Sequence, residues 1–285
     1  MIDSQKKEEV LIEALPYIQK YEGKTFVIKY GGAAMTEDSL KQTFAKDVTI
    51  LRKIGINIVI VHGGGKEITD IAGKLGVQTT FVNGQRYTDD AMIDVVTMVL
   101  GGKLNKEIVG LISANGGAAV GLTGVDNSLL RCRKHVSDGA DLGLVGEVVS
   151  VNTSFINLLL ANGMMPVIAP VGVGENGGTF NINADLAAGS IASALKAEKL
   201  VYLSDIEGIL IREKLISTLT RDEADKLIKE GAIFGGMIPK VTSAFATLSS
   251  GVNKVHIIDG RVKHSLLLEI FTDEGIGTQM VQKEN

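Results

Sequence analysis

The chain has 285 residues, 45% of them hydrophobic, which allows one large or two modest domains around a substantial core. A formal charge of −4 gives no basic field for nucleic acid or an anionic membrane, so any anion site has to be built locally. The single Cys132 excludes an internal disulfide and a multi-cysteine metal site, and it reads as a small core residue.

The first residues lack the basic-then-apolar order of a signal peptide, and no apolar run is long enough to span a bilayer. A soluble, cytoplasmic protein is expected. Residues 1–24 set Ile2, Val10, Leu11, Leu15 and Ile18 at helical intervals among Lys and Glu, with Pro16 as a kink. This helix either folds back on its own domain or packs on another subunit.

Residues 25–30 read as a strand buried on both faces, with Lys29 where it surfaces and Gly31-Gly32 as a sharp turn. A helix over 36–54, a strand over 57–61, the turn Gly63-Gly64-Gly65 and a helix over 66–75 follow. One helix is expected over 89–113, short strands near 117–123, 129–135 and 145–151, and a helix capped by Thr153. A buried strand at 164–169 precedes a helix over 184–195 and a strand over 199–204. Helices over 221–230, 239–250 and 262–270 and strands over 253–258 and 278–282 complete the chain. This alternation predicts a three-layer αβα sandwich with a mostly parallel sheet, divided into two lobes near residue 195. The segment 172–178 fits a dinucleotide pattern but runs into an extended stretch, so it reads as a hairpin loop.

Both glycine turns fall at carboxyl ends of strands and therefore on one edge of a parallel sheet, each aiming a helix N-terminus at one crevice. Lys240, after Gly235-Gly236 and Pro239, repeats the design of a cation beside a glycine pair at a helix start. Two such lysines suit a phosphoryl group whose charge spreads over several oxygens. Asp185 can hold both ammonium groups, Asn183 is an N-cap, and Asn181 sits on the same crevice. Arg86, in a polar loop before a helix, matches a carboxylate bidentately. Asp205 to Gly208 is a strand-end loop suited to a nucleotide or a metal. The four histidines are scattered singly, and no Gly-x-Ser-x-Gly turn occurs.

The motifs at 29–32 (Lys-Tyr-Gly-Gly), 61–65 (Val-His-Gly-Gly-Gly), 83–88, 181–185, 204–209 and 235–240 (Gly-Gly-Met-Ile-Pro-Lys) resemble those of the amino acid kinases. They fall in order across residues 25–282. More narrowly, they resemble the branch that phosphorylates the side-chain carboxylate of N-acetyl-L-glutamate with ATP and Mg²⁺ carried by the nucleotide, the second step of arginine biosynthesis. The resemblance implies a substrate lobe over 25–195 and a nucleotide lobe over 196–285. It implies that Lys29 and Lys240 stabilise the transferring phosphoryl group while Asp185 positions them. Gly64, Gly65, Arg86 and Asn181 then hold the acceptor, and Gly31, Gly32, Asp205, Gly236 and Met237 lie at phosphate and nucleotide; no protein metal site is implied.

The acceptor carboxylate, with a reference pKa of about 4.3, is already ionised at neutral pH and needs no general base. The N-terminal helix and the stretch 263–278 resemble an arginine-inhibited branch in which the helix interlaces dimers into a hexamer, a trimer of dimers. L-Arginine is then expected between helix and C-terminal segment, near Tyr17, His264, Glu269 and Gly277. Carbamate, aspartate, glutamate and uridylate kinases are rivals within the family; Arg86 favours an acidic amino acid derivative. A nucleotide-sensing module outside it has no need of a second lysine.

Overall fold

The computed structural model describes residues 4–137, 139–272 and 275–282. Ile2 lies outside them, and side chains of the N-terminal helix are described from Ile12 onward. The strands, in chain order, are β1 (Thr25–Tyr30), β2 (Asn57–His62), β3 (Phe81–Val82), β4 (Gln85–Arg86), β5 (Ala119–Thr123), β6 (Leu130–Ser137), β7 (Ala140–Val151) and β8 (Met165–Ala169). They continue with β9 (Val171–Val173), β10 (Thr179–Ile182), β11 (Lys199–Ser204), β12 (Leu210–Ile211), β13 (Lys214–Leu215), β14 (Thr218–Thr220), β15 (Lys254–Asp259) and β16 (Thr278–Val281). The helices are α1 (Ser4–Tyr21), α2 (Asp38–Lys53), α3 (Gly65–Lys74), α4 (Asp90–Thr97), α5 (Asn105–Ala114), α6 (Ser154–Ala161), α7 (Ala184–Leu195), α8 (Arg221–Lys229), α9 (Met237–Ser249) and α10 (Ser265–Phe271).

Eight strands form one sheet in the order β14-β16-β15-β11-β1-β2-β8-β5. Pairing is parallel from β15 to β5, and β16 runs antiparallel to β15. Alternate residues of the central strands feed two cores. Val27, Val59 and Val61 pack on one face with Ile156, Ile191 and Phe245 from α6, α7 and α9. Phe26, Ile28, Ile58 and Ile60 pack on the other with Phe44, Ile112 and Ile270 from α2, α5 and α10. A two-residue side-chain period buried on both sides is what a sheet covered by helices requires. The result is the expected αβα sandwich. Strands β6, β7, β9 and β10 close on one another as a separate four-stranded barrel, with the 174–178 loop joining antiparallel β9 and β10 as a hairpin.

α1 resolves the choice left by its sequence only at its C-terminal end. Tyr21 is buried and meets the Phe26 ring edge-on at 5.1 Å, so this end packs on its own chain. Ile12 and Leu15 are exposed. Pro16 lies within the helix, which continues through it.

Three expectations need correction. Residues 89–113 are not one α-helix: α4 gives way to a π-helical turn, Met98–Leu104, before α5. Thr153 stands at the N-cap of α6 but its hydroxyl takes no backbone amide: it accepts from the Asn157 side chain at 3.4 Å, while Asn152 Oδ1 accepts from the Ser154 amide at 3.2 Å. Arg86 is not in a loop. Asn83 and Gly84, at φ of 50° and 77°, turn β3 into β4, and Arg86 is the register partner of Phe81. Asn-Gly is the pair that such a tight hairpin favours.

Candidate active site

β1 and β2 lie side by side with Tyr30 opposite His62, so both glycine turns emerge together at the carboxyl edge of the sheet. Gly32 has φ of 65°, a conformation that glycine adopts without strain. Lys29, at the end of β1, bends back over its turn: a Cβ on Gly31 would stand 2.7 Å from the Lys29 Nζ, so the bare glycine makes room for the ammonium. Its partner is Asp185 in the first turn of α7, with Nζ to Oδ1 at 3.0 Å and Lys29 only 15% exposed in its side chain. Asn183 caps α7 as its sequence suggests, accepting from the Asp185 amide at 2.8 Å and the Leu186 amide at 3.2 Å. That cap fixes where the Asp185 carboxylate stands.

Lys240 reaches the same neighbourhood from α9, with Pro239 in the first turn of that helix. Its Nζ donates to Ser204 Oγ, at the end of β11, at 3.0 Å and lies 5.9 Å from the Tyr202 ring centre. Burial pushes the ammonium below the usual lysine range; Asp185 opposes this, Lys29 adds to it, and Asp205 opposes it. Lys240 therefore feels both members of the Lys29–Asp185 pair. Gly236 and Met237 begin α9. Asp205 is exposed, and it lines a cavity of about 480 Å³ with Gly32, Gly64 and Gly65.

Lys29, Gly31, Gly32, Gly64, Gly65, Arg86, Asn181 and Asp185 all line one further cavity of about 310 Å³, walled by the apolar Leu100, Val145 and Ile182. Arg86 is buried, and that burial holds its guanidinium below the usual arginine range. Its Nη2 donates to the Gly65 carbonyl at 2.8 Å and to Thr69 Oγ1 at 2.9 Å, tying the β4 ribbon to the start of α3. Asn181 Nδ2 donates to Thr88 Oγ1 at 3.1 Å. The arrangement can hold a small carboxylate at the Arg86 end and an anionic group beside Lys29. Among the described residues no three His, Cys, Asp or Glu side chains gather as a metal cage, and no helix is long and apolar enough to cross a membrane.

A larger cavity, about 640 Å³, opens at the other edge of the sheet between α1, α10, β11, β15 and β16. Tyr17, Glu269 and Gly277 line it, together with Lys199, Lys254 and His256, which the sequence did not single out. His264 is absent from it. That residue opens α10 at φ of 61° and turns its Nδ1 to Asp47 on α2, 2.7 Å away. The histidine at the cavity is His256, whose Nδ1 bonds Glu269, while its buried Nε2 has no hydrogen-bond partner among the described residues. Burial opposes charge on Glu269, but His256 and the Ile276 amide, at 2.8 Å, hold its carboxyl below the usual range. Burial also brings the Lys199 ammonium down to about 8. Cys132 is buried, and its thiol is pushed up to about 11 by that burial.

The sequence matches the amino acid kinase family over residues 24–259. It is 58% identical to the acetylglutamate kinase of Pelodictyon phaeoclathratiforme over 97% of this chain and 90% of that one. The structure is similar to N-acetylglutamate synthase from Neisseria gonorrhoeae complexed with coenzyme A and N-acetyl-glutamate, at a TM-score of 0.85 and 28% identity, covering 97% of this chain and 64% of the synthase. The same synthase complexed with coenzyme A and L-arginine matches at 0.82 and 28%, over 96% of this chain and 65% of that one. Carbamate kinase from Giardia lamblia bound to AMP-PNP shares the fold at 0.65 and 18% identity, over 92% and 99% of the two chains.

Proposed function

The chain belongs to the amino acid kinase family, and we infer from that premise that it transfers the γ-phosphoryl group of ATP to the side-chain carboxylate of N-acetyl-L-glutamate. A carboxylate oxygen attacks the γ-phosphorus, the bond from that phosphorus to the β-bridging oxygen breaks, and ADP departs, leaving an acyl phosphate. The acceptor is ionised without help, so the protein's task is to bring two anions together and neutralise the charge that spreads in transfer.

One observation carries this reading. Lys29, paired with Asp185, and Lys240, whose charge both members of that pair influence, come from separate elements beside a cavity that Arg86 also lines. In this reading Lys29 and Lys240 flank the phosphoryl group and Asp185 holds them. The amides of Gly64 and Gly65, with Asn181, hold the acceptor, whose α-carboxylate pairs with Arg86. Gly31, Gly32, Asp205, Gly236 and Met237 attend the phosphates and nucleotide. The lysines and glycine amides fit a phosphate chain, and Mg²⁺, carried on the nucleotide, supplies further neutralisation of its oxygens. Residues 25–195 form the acceptor lobe and 196–285 the nucleotide lobe of this cytoplasmic enzyme.

The second cavity takes L-arginine as an inhibitor. Lys199 and Lys254 suit its carboxylate, and Glu269 suits its guanidinium. The exposed Ile12 and Leu15 on α1 supply an apolar face for contact between dimers in a hexamer. Hydroxylamine trapping of the acyl phosphate tests the acceptor: N-acetylglutamate is expected to give hydroxamate well above glutamate or aspartate. Signal with aspartate alone overturns the assignment.

A further inference from the structure

Beneath the Gly63–Gly65 turn lies a buried polar chain that the reading above leaves unused. His62, at the end of β2, is fully buried, and its Nδ1 stands 2.9 Å from the carbonyl of Gly63. A carbonyl only accepts, so Nδ1 carries the proton. The ring's Nε2 stands 3.3 Å from Nδ2 of Asn105, itself fully buried. That amide's orientation is fixed independently: Nδ2 faces the carbonyls of Val167 at 2.9 Å and Leu122 at 3.2 Å, while Oδ1 accepts from Lys106 Nζ at 3.0 Å. Two N–H groups thus face three acceptors, and the hydrogen shared between the Leu122 carbonyl and the ring meets an Nε2 that accepts only when the ring is neutral and protonated at Nδ1. Burial, which holds the imidazolium pKa down to about 4, agrees with this form.

The peptide joining Gly63 to Gly64 is trans, as are all peptide bonds among the described residues, so its C=O and N–H point in opposite directions. Gripping the Gly63 oxygen from below aims the Gly64 N–H away from His62. Gly64 lines the cavity that also holds Lys29 and Arg86. The π-helical turn adds a stop from the side, since a Cβ on Gly64 would collide with Leu100 and Leu104. We propose that His62, held in its Nδ1–H form by Asn105, is a positioning residue for phosphoryl transfer that sets the direction of the Gly64 amide. A hydrogen bond at the carbonyl also polarises the peptide and strengthens that amide as a donor. The inference rests on the acceptor reading only for which substrate the kinetics follow.

The test is a cycle of substitutions in the full-length enzyme, assayed with ATP and N-acetylglutamate. His62→Leu removes the donor and should lower kcat ten- to a hundredfold, with KM for ATP within about twofold. His62→Asn places an amide donor near the Nδ1 position and should restore kcat to within about threefold of wild type. Asn105→Asp replaces the donor with an acceptor and should lower kcat about tenfold when His62 is present, but by less than twofold beside His62→Asn. A purely structural role gives equal losses in both backgrounds and overturns the proposal; so does His62→Leu at full activity. The wild type alone decides the matter if variants fail to fold. In nitrogen-15 spectra of labelled histidine, the ring assigned to His62 should be neutral and protonated at Nδ1 at pH 7, and an Nε2–H ring overturns the proposal. That spectrum does not depend on the acceptor, so a wrong substrate leaves it intact.

Discussion

Lys240 is the residue on which turnover should depend most sharply. It is half-buried and hydrogen-bonded to Ser204, and it lies outside the lining of the acceptor cavity. Lys240→Ala should therefore lower kcat by about 10²–10³, as removal of one preorganised charge donor does, while calorimetric N-acetylglutamate affinity stays within about twofold. Unchanged turnover refutes its role. Burial places its pKa below the usual lysine range, so the free enzyme loses this charge at a lower pH than an ordinary lysine would. The alkaline limb of kcat/KM for ATP should accordingly fall below the usual lysine pKa and move upward in Lys240→Arg. Arg86 governs the other end of the site. Arg86→Lys loses the planar fork that serves Gly65 and Thr69 and faces the cavity, so KM for N-acetylglutamate should rise roughly tenfold or more, with KM for ATP little changed. A larger effect on ATP counts against the assignment.

Among the elements, α1 makes the clearest separable prediction. Deleting residues 1–24 removes Tyr17 from the second cavity and leaves every residue of the acceptor cavity in place. Activity should survive and inhibition by L-arginine should vanish; persistence of full inhibition sinks the regulatory reading. Tyr21 is buried against Phe26, so the truncation also costs about 3–5 kcal/mol of packing and lowers the melting temperature, and assays belong at 25 °C. The long elements were legible because apolar runs and glycine turns state the βα alternation outright. The misses have local causes. A π-turn inserts one residue without breaking the apolar pattern of Val95, Val96, Val99 and Leu100, so periodicity joined α4 to α5; Gly101-Gly102 was the available signal. β3 and β4 are two residues each, too short for any period, although Asn83-Gly84 marked their turn. Lys29, Asp185, Arg86 and Asn181 announce themselves by charge and position. His256 could not, because a histidine within a buried strand looks like core until a cavity is seen beside it.

For the molecule as a whole, the second cavity and the Lys240 contact sit at opposite ends of β11. Lys199 begins that strand at the proposed arginine cavity, and Ser204 ends it holding Lys240. Five residue steps of about 3.3 Å separate them, roughly 17 Å along one fully buried strand. A strand packed on both faces shifts as a unit, so a ligand that draws on Lys199 at one end can bias where Ser204 places Lys240 at the other. If L-arginine acts in this way, linkage fixes a symmetrical consequence. The factor by which saturating arginine weakens ATP binding must equal the factor by which saturating ATP weakens arginine binding. Calorimetry on the full-length enzyme, run in both orders, should return equal ratios in the range of about 5–150-fold. Lys199→Ala should bring both ratios to unity while kcat without arginine stays near wild type. Equal affinity for arginine with and without ATP, alongside undiminished inhibition in Lys199→Ala, would place the inhibitor elsewhere and leave β11 an ordinary core strand.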